Sequence, residues 1–230
     1  MQKVTYQVFH SWLILLSLFF IGCVDETGPN DEEPKARQFI LSIENISSAA
    51  VTPSAFAPGI WVLHQQGNPL FVAGEKDAGL GLEALAEDGS PDQLYSSLEE
   101  AYEVAKFDAR SDGYDEAAAS PGESFTIEFS AKPGEQLSFA AMLIQSNDFF
   151  IGTSDEGIPL FDGTQPLVGE VDAIIWNAGT EVDEPLGSGE NQPSRQAGPN
   201  TGSDEDGVVV DSNLDANQFV KITLALADSE

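Results

Sequence analysis

Apolar and polar residues alternate with a period of two in several short stretches of the chain. Phe125-Thr126-Ile127-Glu128-Phe129 is the clearest of them, and this alternation marks a strand buried on one face. Phe39 to Ile43 opens the series, and Ile60 to Leu63 follows a turn at Ala57-Pro58-Gly59. Leu137 to Ile144 is a longer apolar run entered from Pro133-Gly134, suited to a central strand. Phe149 to Ile151, Ala173 to Trp176, Val208 to Val210 and Val220 to Leu224 complete the set. About eight short strands between Gly/Pro turns predict a mainly β fold, an antiparallel eight-stranded β-sandwich.

One or two short helices interrupt the strands. Leu94, Leu98, Ala101, Tyr102 and Ala105 recur at helical spacing and form one apolar stripe. Ser90 as N-cap, Pro91 at the first helical position and Gln93 three residues after the cap predict where that helix starts. Leu80 to Ala86 predicts a shorter helix stopped by Asp88-Gly89. Both are expected as an insertion at the edge of the sandwich. Ser111 to Ser120 and Gly187 to Asp206, rich in small and acidic residues, predict long surface loops.

The amino terminus has a different pattern. Lys3 precedes the apolar run Trp12 to Ile21, which is too short to span a bilayer and has the length of a signal-peptide core. Gly22-Cys23 follows, and Cys23 is the only cysteine of the 230 residues. A lone cysteine directly after such a core resembles the lipid-acceptor site of bacterial lipoproteins, although Phe20 and Ile21 stand where Leu and a small residue are usual. Asp25 to Arg37 is charged and nearly devoid of apolar residues, so it reads as a tether. The expected organisation is a signal peptide over 1–22, a lipidated Cys23 with an acidic tether over 23–38, and one domain over 39–228.

Charge narrows the range of partners. There are 39 acidic residues against 9 basic ones, a net charge of −30. Such a chain repels phosphate backbones, so no nucleic-acid partner is expected. It also repels anionic lipid headgroups, so contact with a membrane is expected through the lipid anchor only. Cations are attracted.

Residues able to do chemistry are few. His64 is the one histidine outside the signal region, there is no G-x-S-x-G, and one cysteine with one histidine makes a zinc centre improbable. Asp204-Glu205-Asp206-Gly207 imitates the start of an EF-hand, but that register puts Gly202 at position one and Asn213 at position twelve. It is read as a polar turn. Asn45-Ile46-Ser47 matches a glycosylation sequon. Paired carboxylates are plentiful, and Trp61 and Trp176 are candidate sugar platforms or core residues. These leave a secreted carbohydrate-active or carbohydrate-binding protein as an alternative function.

Several segments together resemble the spondin N-terminal domain. They are Ala57-Pro58-Gly59 with His64, Pro69-Leu70-Phe71, Leu85-Ala86-Glu87-Asp88-Gly89, Ser146-Asn147-Asp148-Phe149-Phe150-Ile151-Gly152, and Trp176-Asn177-Ala178-Gly179-Thr180-Glu181. The resemblance spans Phe39 to Leu226. It implies a C2-like eight-stranded sandwich with a Ca²⁺ ion held by loops at one end, in a module of extracellular and envelope proteins. Carried onto this chain, the metal ligands it implies are Asp148, Asn177 and Glu181. Asn177 stands where the family usually has Asp, which removes one formal charge from the site. Glu170, Asp172, Asp183 and Glu184 lie nearby as substitutes. The expected function is a non-catalytic, calcium-binding adhesion or binding module, displayed on a bacterial envelope as a lipoprotein, with an extracellular protein or glycan as its partner. An outer-membrane location is expected from Val24 in place of Asp after the cysteine.

Overall fold

Phe125, Ile127, Phe129 and Ala131 all point inward from one strand, as their alternation demands, with Thr126 and Glu128 exposed and Ser130 half-buried between them. The computed structural model describes residues 35–109 and 117–227. The expected signal peptide, Cys23, most of the tether and positions 110–116 lie outside the described residues. The described residues all fall in one compact unit.

In chain order the strands are β1 (Arg37–Asn45), β2 (Phe56–His64), β3 (Glu103–Phe107), β4 (Ser124–Ala131), β5 (Gln136–Leu143), β6 (Phe149–Gly152), β7 (Ile158–Pro159), β8 (Phe161–Asp162), β9 (Gln165–Pro166), β10 (Gly169–Val171), β11 (Ile174–Asn177), β12 (Val210–Asp211) and β13 (Val220–Leu226). Two helices, α1 (Leu82–Asp88) and α2 (Asp92–Leu98), lie between β2 and β3. The fold is mainly β, and all strand pairs are antiparallel. Among the described residues, eight strands have four or more residues.

One sheet runs β10-β13-β1-β4, and the other β12-β11-β6-β5-β2-β3 with β7 beside β5. They enclose a single core. β1 supplies Phe39, Leu41 and Ile43, β4 supplies Phe125, Ile127 and Phe129, and β13 supplies Val220, Ile222 and Leu224. Opposite them stand Trp61 and Leu63 of β2, Leu137, Phe139, Ala141 and Leu143 of β5, Ile151 of β6 and Ile175 of β11. This is sandwich packing, sheet face on sheet face.

The second sheet is covered on its outer face as well. Ile60 and Val62 of β2, Ala140 of β5, Phe150 of β6 and Trp176 of β11 pack against Leu82, Leu85, Ala86, Leu94 and Leu98 of the helices. The helices therefore lie over a sheet face, not at the edge of the sandwich. Two covered faces also explain the largely apolar run of β5, since Leu137–Leu143 are buried on both sides of the sheet.

Three local expectations need correction. The stripe Leu94 to Ala105 is helical only as far as Leu98. Tyr102 N–H closes back on Leu98 O at 3.0 Å, and Glu103–Phe107 then pairs with β2 as an edge strand. The second sheet offers Val104, Ala105 and Phe107 a ladder and two cores, and tertiary pairing overrides the helical period. Ser90 makes no side-chain cap; Pro91 occupies the N-cap of α2, and Gln93 turns instead to Gly79 O at 3.5 Å. Ala57-Pro58-Gly59 is not a turn before β2 but lies inside it, at a register shift between Phe56 and Gly59. A Cβ on Gly59 would fall 2.4 Å from Ala140 O, so glycine is what lets β2 and β5 close there. The stop of α1 is as expected: Gly89 adopts φ +67°, and the Gly89 and Ser90 N–H groups close on Leu85 and Ala84 carbonyls. Val208 to Val210 contributes only β12, and among the described residues no helix is long and apolar enough to cross a membrane.

Candidate functional site

Two sequence segments interlock at one end of the second sheet. Ser146-Asn147-Asp148 forms the turn into β6, and Asn177 to Glu181 forms the turn out of β11, the strand paired with β6. Ser146 shapes the first turn: its hydroxyl donates to Leu143 O at 2.6 Å and accepts from Phe149 N–H at 3.0 Å. Asn147 straps the second turn's continuation, donating to Val182 O at 2.9 Å and accepting from Glu184 N–H at 3.1 Å.

Asp148 is fully buried between them. Its Oδ2 accepts from three successive N–H groups, Gly179 at 3.1 Å, Thr180 at 3.3 Å and Glu181 at 3.4 Å. Gly179 makes this cradle possible. It has φ +68°, and a Cβ there would lie 2.6 Å from Val208 O. Across the contact Gly207 N–H donates to Gly179 O at 2.9 Å, which fixes the 204–207 turn against the cradle.

The other oxygen, Asp148 Oδ1, is buried and has no hydrogen-bond partner. An unpaired buried carboxylate oxygen is costly, and ionised neighbours raise that cost. Burial pushes the Asp148 carboxyl up to about 7, with Asp183 and Glu181 adding to the rise against the Glu181 and Thr180 N–H groups.

The three sequence-predicted ligands share this corner. Asn177 Oδ1 accepts from Gly179 N–H at 2.5 Å, and its Nδ2 donates to Asp183 Oδ1 at 2.8 Å. Glu181 is 4% exposed, its carboxyl pressed on Gly202, and burial raises its pKa. Of the substitutes, Asp183 joins the corner through Asn177, whereas Glu184 binds Asn191 at 2.8 Å. Glu170 sits on the other sheet, paired with Lys221 at 2.7 Å. The exposed Asp204-Glu205-Asp206 turn bridges to Glu181 through Asp204 and pairs Asp206 with Lys76.

Glu87 is a further acidic residue near this corner, which the sequence analysis named only as part of a motif and not as a candidate ligand. It lies on α1 with Leu82, Leu85 and Ala86 on the buried side and is only 5% exposed. Burial pushes it to about 7, and Glu83, Glu181 and Asp148 reinforce the shift. Thr180 lies close enough to favour its charged form, yet Thr180 Oγ1 completes no well-aligned hydrogen bond and is buried without a partner. The available signal was an acidic residue at a helical spacing that places it among apolar ones.

The free donors are thus hard oxygens: Asp148 Oδ1, Thr180 Oγ1 and a surround of Glu87, Glu181 and Asp183. Such donors suit a hard cation such as Ca²⁺. Among the described residues, no three His, Cys, Asp or Glu side chains converge as a finished metal cage. The corner gathers acidic side chains near one buried, unpartnered carboxylate oxygen.

The other candidates fall in the core. Trp61 and Trp176 are buried, and Trp176 Nε1 donates to Thr153 O at 2.9 Å, so neither is a sugar platform. His64 is buried with Nε2 2.9 Å from Ser138 Oγ, and its Nδ1 has no partner. Gly157 packs over the pair, where a Cβ would come within 2.9 Å of both side chains. No family model and no curated protein matches the chain.

Proposed function

We propose that the chain is a non-catalytic, calcium-binding extracellular module of the spondin type, carried on a bacterial envelope by a lipid on Cys23. The observation that carries the calcium site is Asp148 Oδ1, fully buried, without a partner, and surrounded by carboxylates. Left alone, this corner concentrates negative charge in a region of low dielectric. A divalent cation bound by Asp148 with Asn177 and Glu181 offsets that repulsion and supplies the missing partner. Glu87 and Thr180 complete the surround. The cation's role is structural, holding the turns at 146–148 and 177–181 against the 202–207 segment.

Burial of the candidate reactive groups supports the non-catalytic reading. His64 and Ser138 lie under Gly157, with no carboxylate bonded to Nδ1, and the raised acids Glu87 and Asp148 are buried. The exposed acidic loops around the corner are then the surface available to an extracellular protein or glycan.

Calorimetric titration of the chelator-treated full chain with Ca²⁺ tests the proposal. The expected result is saturable binding of about one ion per chain. At a hundredfold excess over Kd this adds about 2.7 kcal/mol of stability. No binding up to millimolar Ca²⁺ refutes the site.

A further inference from the structure

A second cavity lies away from the calcium corner and is of the opposite character. The segment between β2 and α1 folds into a groove of about 350 Å³. Its walls include Pro69, Val72, Ala78, Leu80, Leu82 and Val209. Val72 is 53% exposed and Leu80 36%, so apolar surface is open to solvent at this groove.

The groove is held in shape from beneath and from the side. Phe71 packs edge-on against Phe150 with ring centroids 5.1 Å apart, and against Trp176 at 5.1 Å. Gly74 N–H donates to Val209 O at 2.8 Å, and Val209 N–H to Glu75 O at 2.9 Å. A pre-formed apolar hollow of this size is in the range of small-molecule sites.

One polar group in the wall points to the ligand's chemistry. Asn68 lines the groove and is 95% buried. Its Oδ1 accepts from Leu70 N–H at 2.9 Å, which fixes the amide plane. Its Nδ2 is buried and has no partner. A buried amide donor left unpaired costs free energy that an acceptor on a ligand recovers. The rim carries Glu75 and Asp77, and Lys76 is engaged by Asp206. With a net charge of −30 on the chain, an anionic ligand is repelled.

We propose that this groove binds a small uncharged molecule with an apolar body and a carbonyl oxygen, which accepts a hydrogen bond from Asn68 Nδ2. The site is independent of the calcium reading, because neither Asp148 nor Asn177 lines it.

The probe is 6-propionyl-2-dimethylaminonaphthalene, which is uncharged, has one carbonyl, and shifts its emission to the blue in apolar surroundings. It is titrated into the full chain in chelator and again in Ca²⁺. The expected result is saturable binding with the same Kd in both, and amide NMR shifts centred on Phe71, Ala78 and Val209. Asn68→Asp keeps the acceptor that caps Leu70 and removes the donor, so it weakens the probe about fivefold or more. The same variant leaves N-phenyl-1-naphthylamine, which has no carbonyl, nearly unaffected. Ala78→Trp fills the groove from an exposed position and abolishes binding of both. Failure to saturate, or saturation that neither variant changes, overturns the proposal, and the Asn68 donor then serves only water. Calcium binding is unaffected by either outcome, so the two sites fail separately.

Discussion

Asn45 and Asp148 are both fully buried polar residues that tie loops to a sheet end, and they differ in how completely they are satisfied. Asn45, at the end of β1, donates to Ser54 O and Ala119 O, each at 2.8 Å. Its Oδ1 accepts from Ser47 N–H at 3.0 Å and from the Ser47 hydroxyl at 2.7 Å. Every hydrogen-bonding position of that amide is used, and the group is neutral. Asp148 accepts three N–H groups on one oxygen and none on the other, among carboxylates that repel it. A complete neutral network stabilises a fold by itself. An incomplete anionic one points to a cation.

The largest effect that sharpens this contrast is expected at Asn45. Asn45→Ala removes four buried hydrogen bonds and orphans the Ser47 N–H, while Ser54 O keeps the Ser47 hydroxyl and Ala119 O keeps the Phe56 N–H, at a cost of about 3 kcal/mol. The melting temperature should fall by roughly 6–12 °C. The fall should be equal in Ca²⁺ and in chelator. A fall in one condition only would place Asn45 in the cation's network.

Glu87→Gln comes next and acts through pH. Glu87 and Asp148 both have folded-state pKa values raised to about 7. A raised carboxyl pKa means that the folded state holds the proton more tightly than the unfolded chain does. Its stabilising effect is full below the unfolded value near 4.5 and is lost as pH rises through 7. His64, whose pKa burial lowers, runs the other way and costs stability below about 6.5. The comparison of variant with parent removes that common contribution. In chelator, Glu87→Gln should melt like the parent near pH 4.5 and several degrees higher at pH 8. Equal melting at both pH values would remove Glu87 from the anionic corner.

The smallest effect is expected at Asn177. Asn177→Asp adds a charge beside Asp183 in place of a 2.8 Å hydrogen bond. It should lower the melting temperature slightly in chelator and tighten Ca²⁺ roughly threefold to tenfold by titration. Weaker Ca²⁺ binding would mean that the ion sits away from this side chain.

The sandwich was legible in the sequence because burial on one face writes a period of two. Phe39-Leu41-Ile43 and Phe125-Ile127-Phe129 needed nothing else. The run Leu137 to Leu143 was legible as a central strand, but not the reason, a helical layer on the outer face of the sheet. Ala101 to Ala105 misled because small and aromatic residues satisfy a helical period as easily as an edge strand, and only pairing with β2 decides. Asn45 read as a glycosylation sequon, whereas its amide is 0% exposed and fully engaged. At the candidate site, Asp148, Asn177 and Glu181 were named through a resemblance of short motifs, and the structure places them on two adjoining turns, with Asp148 Oδ2 accepting from the 179–181 backbone. Glu87 was not singled out, since α1 had to be packed on the sheet before one acidic residue of its Glu87-Asp88 pair became a buried group.

The most direct test of the calcium account is the melting temperature of the full chain in Ca²⁺ and in chelator, for the parent and for Asp148→Ala combined with Glu181→Ala. The account predicts that Ca²⁺ raises the parent by several degrees and leaves the double variant unchanged. A double variant that gains as much from Ca²⁺ as the parent, or a parent that gains nothing, would contradict it.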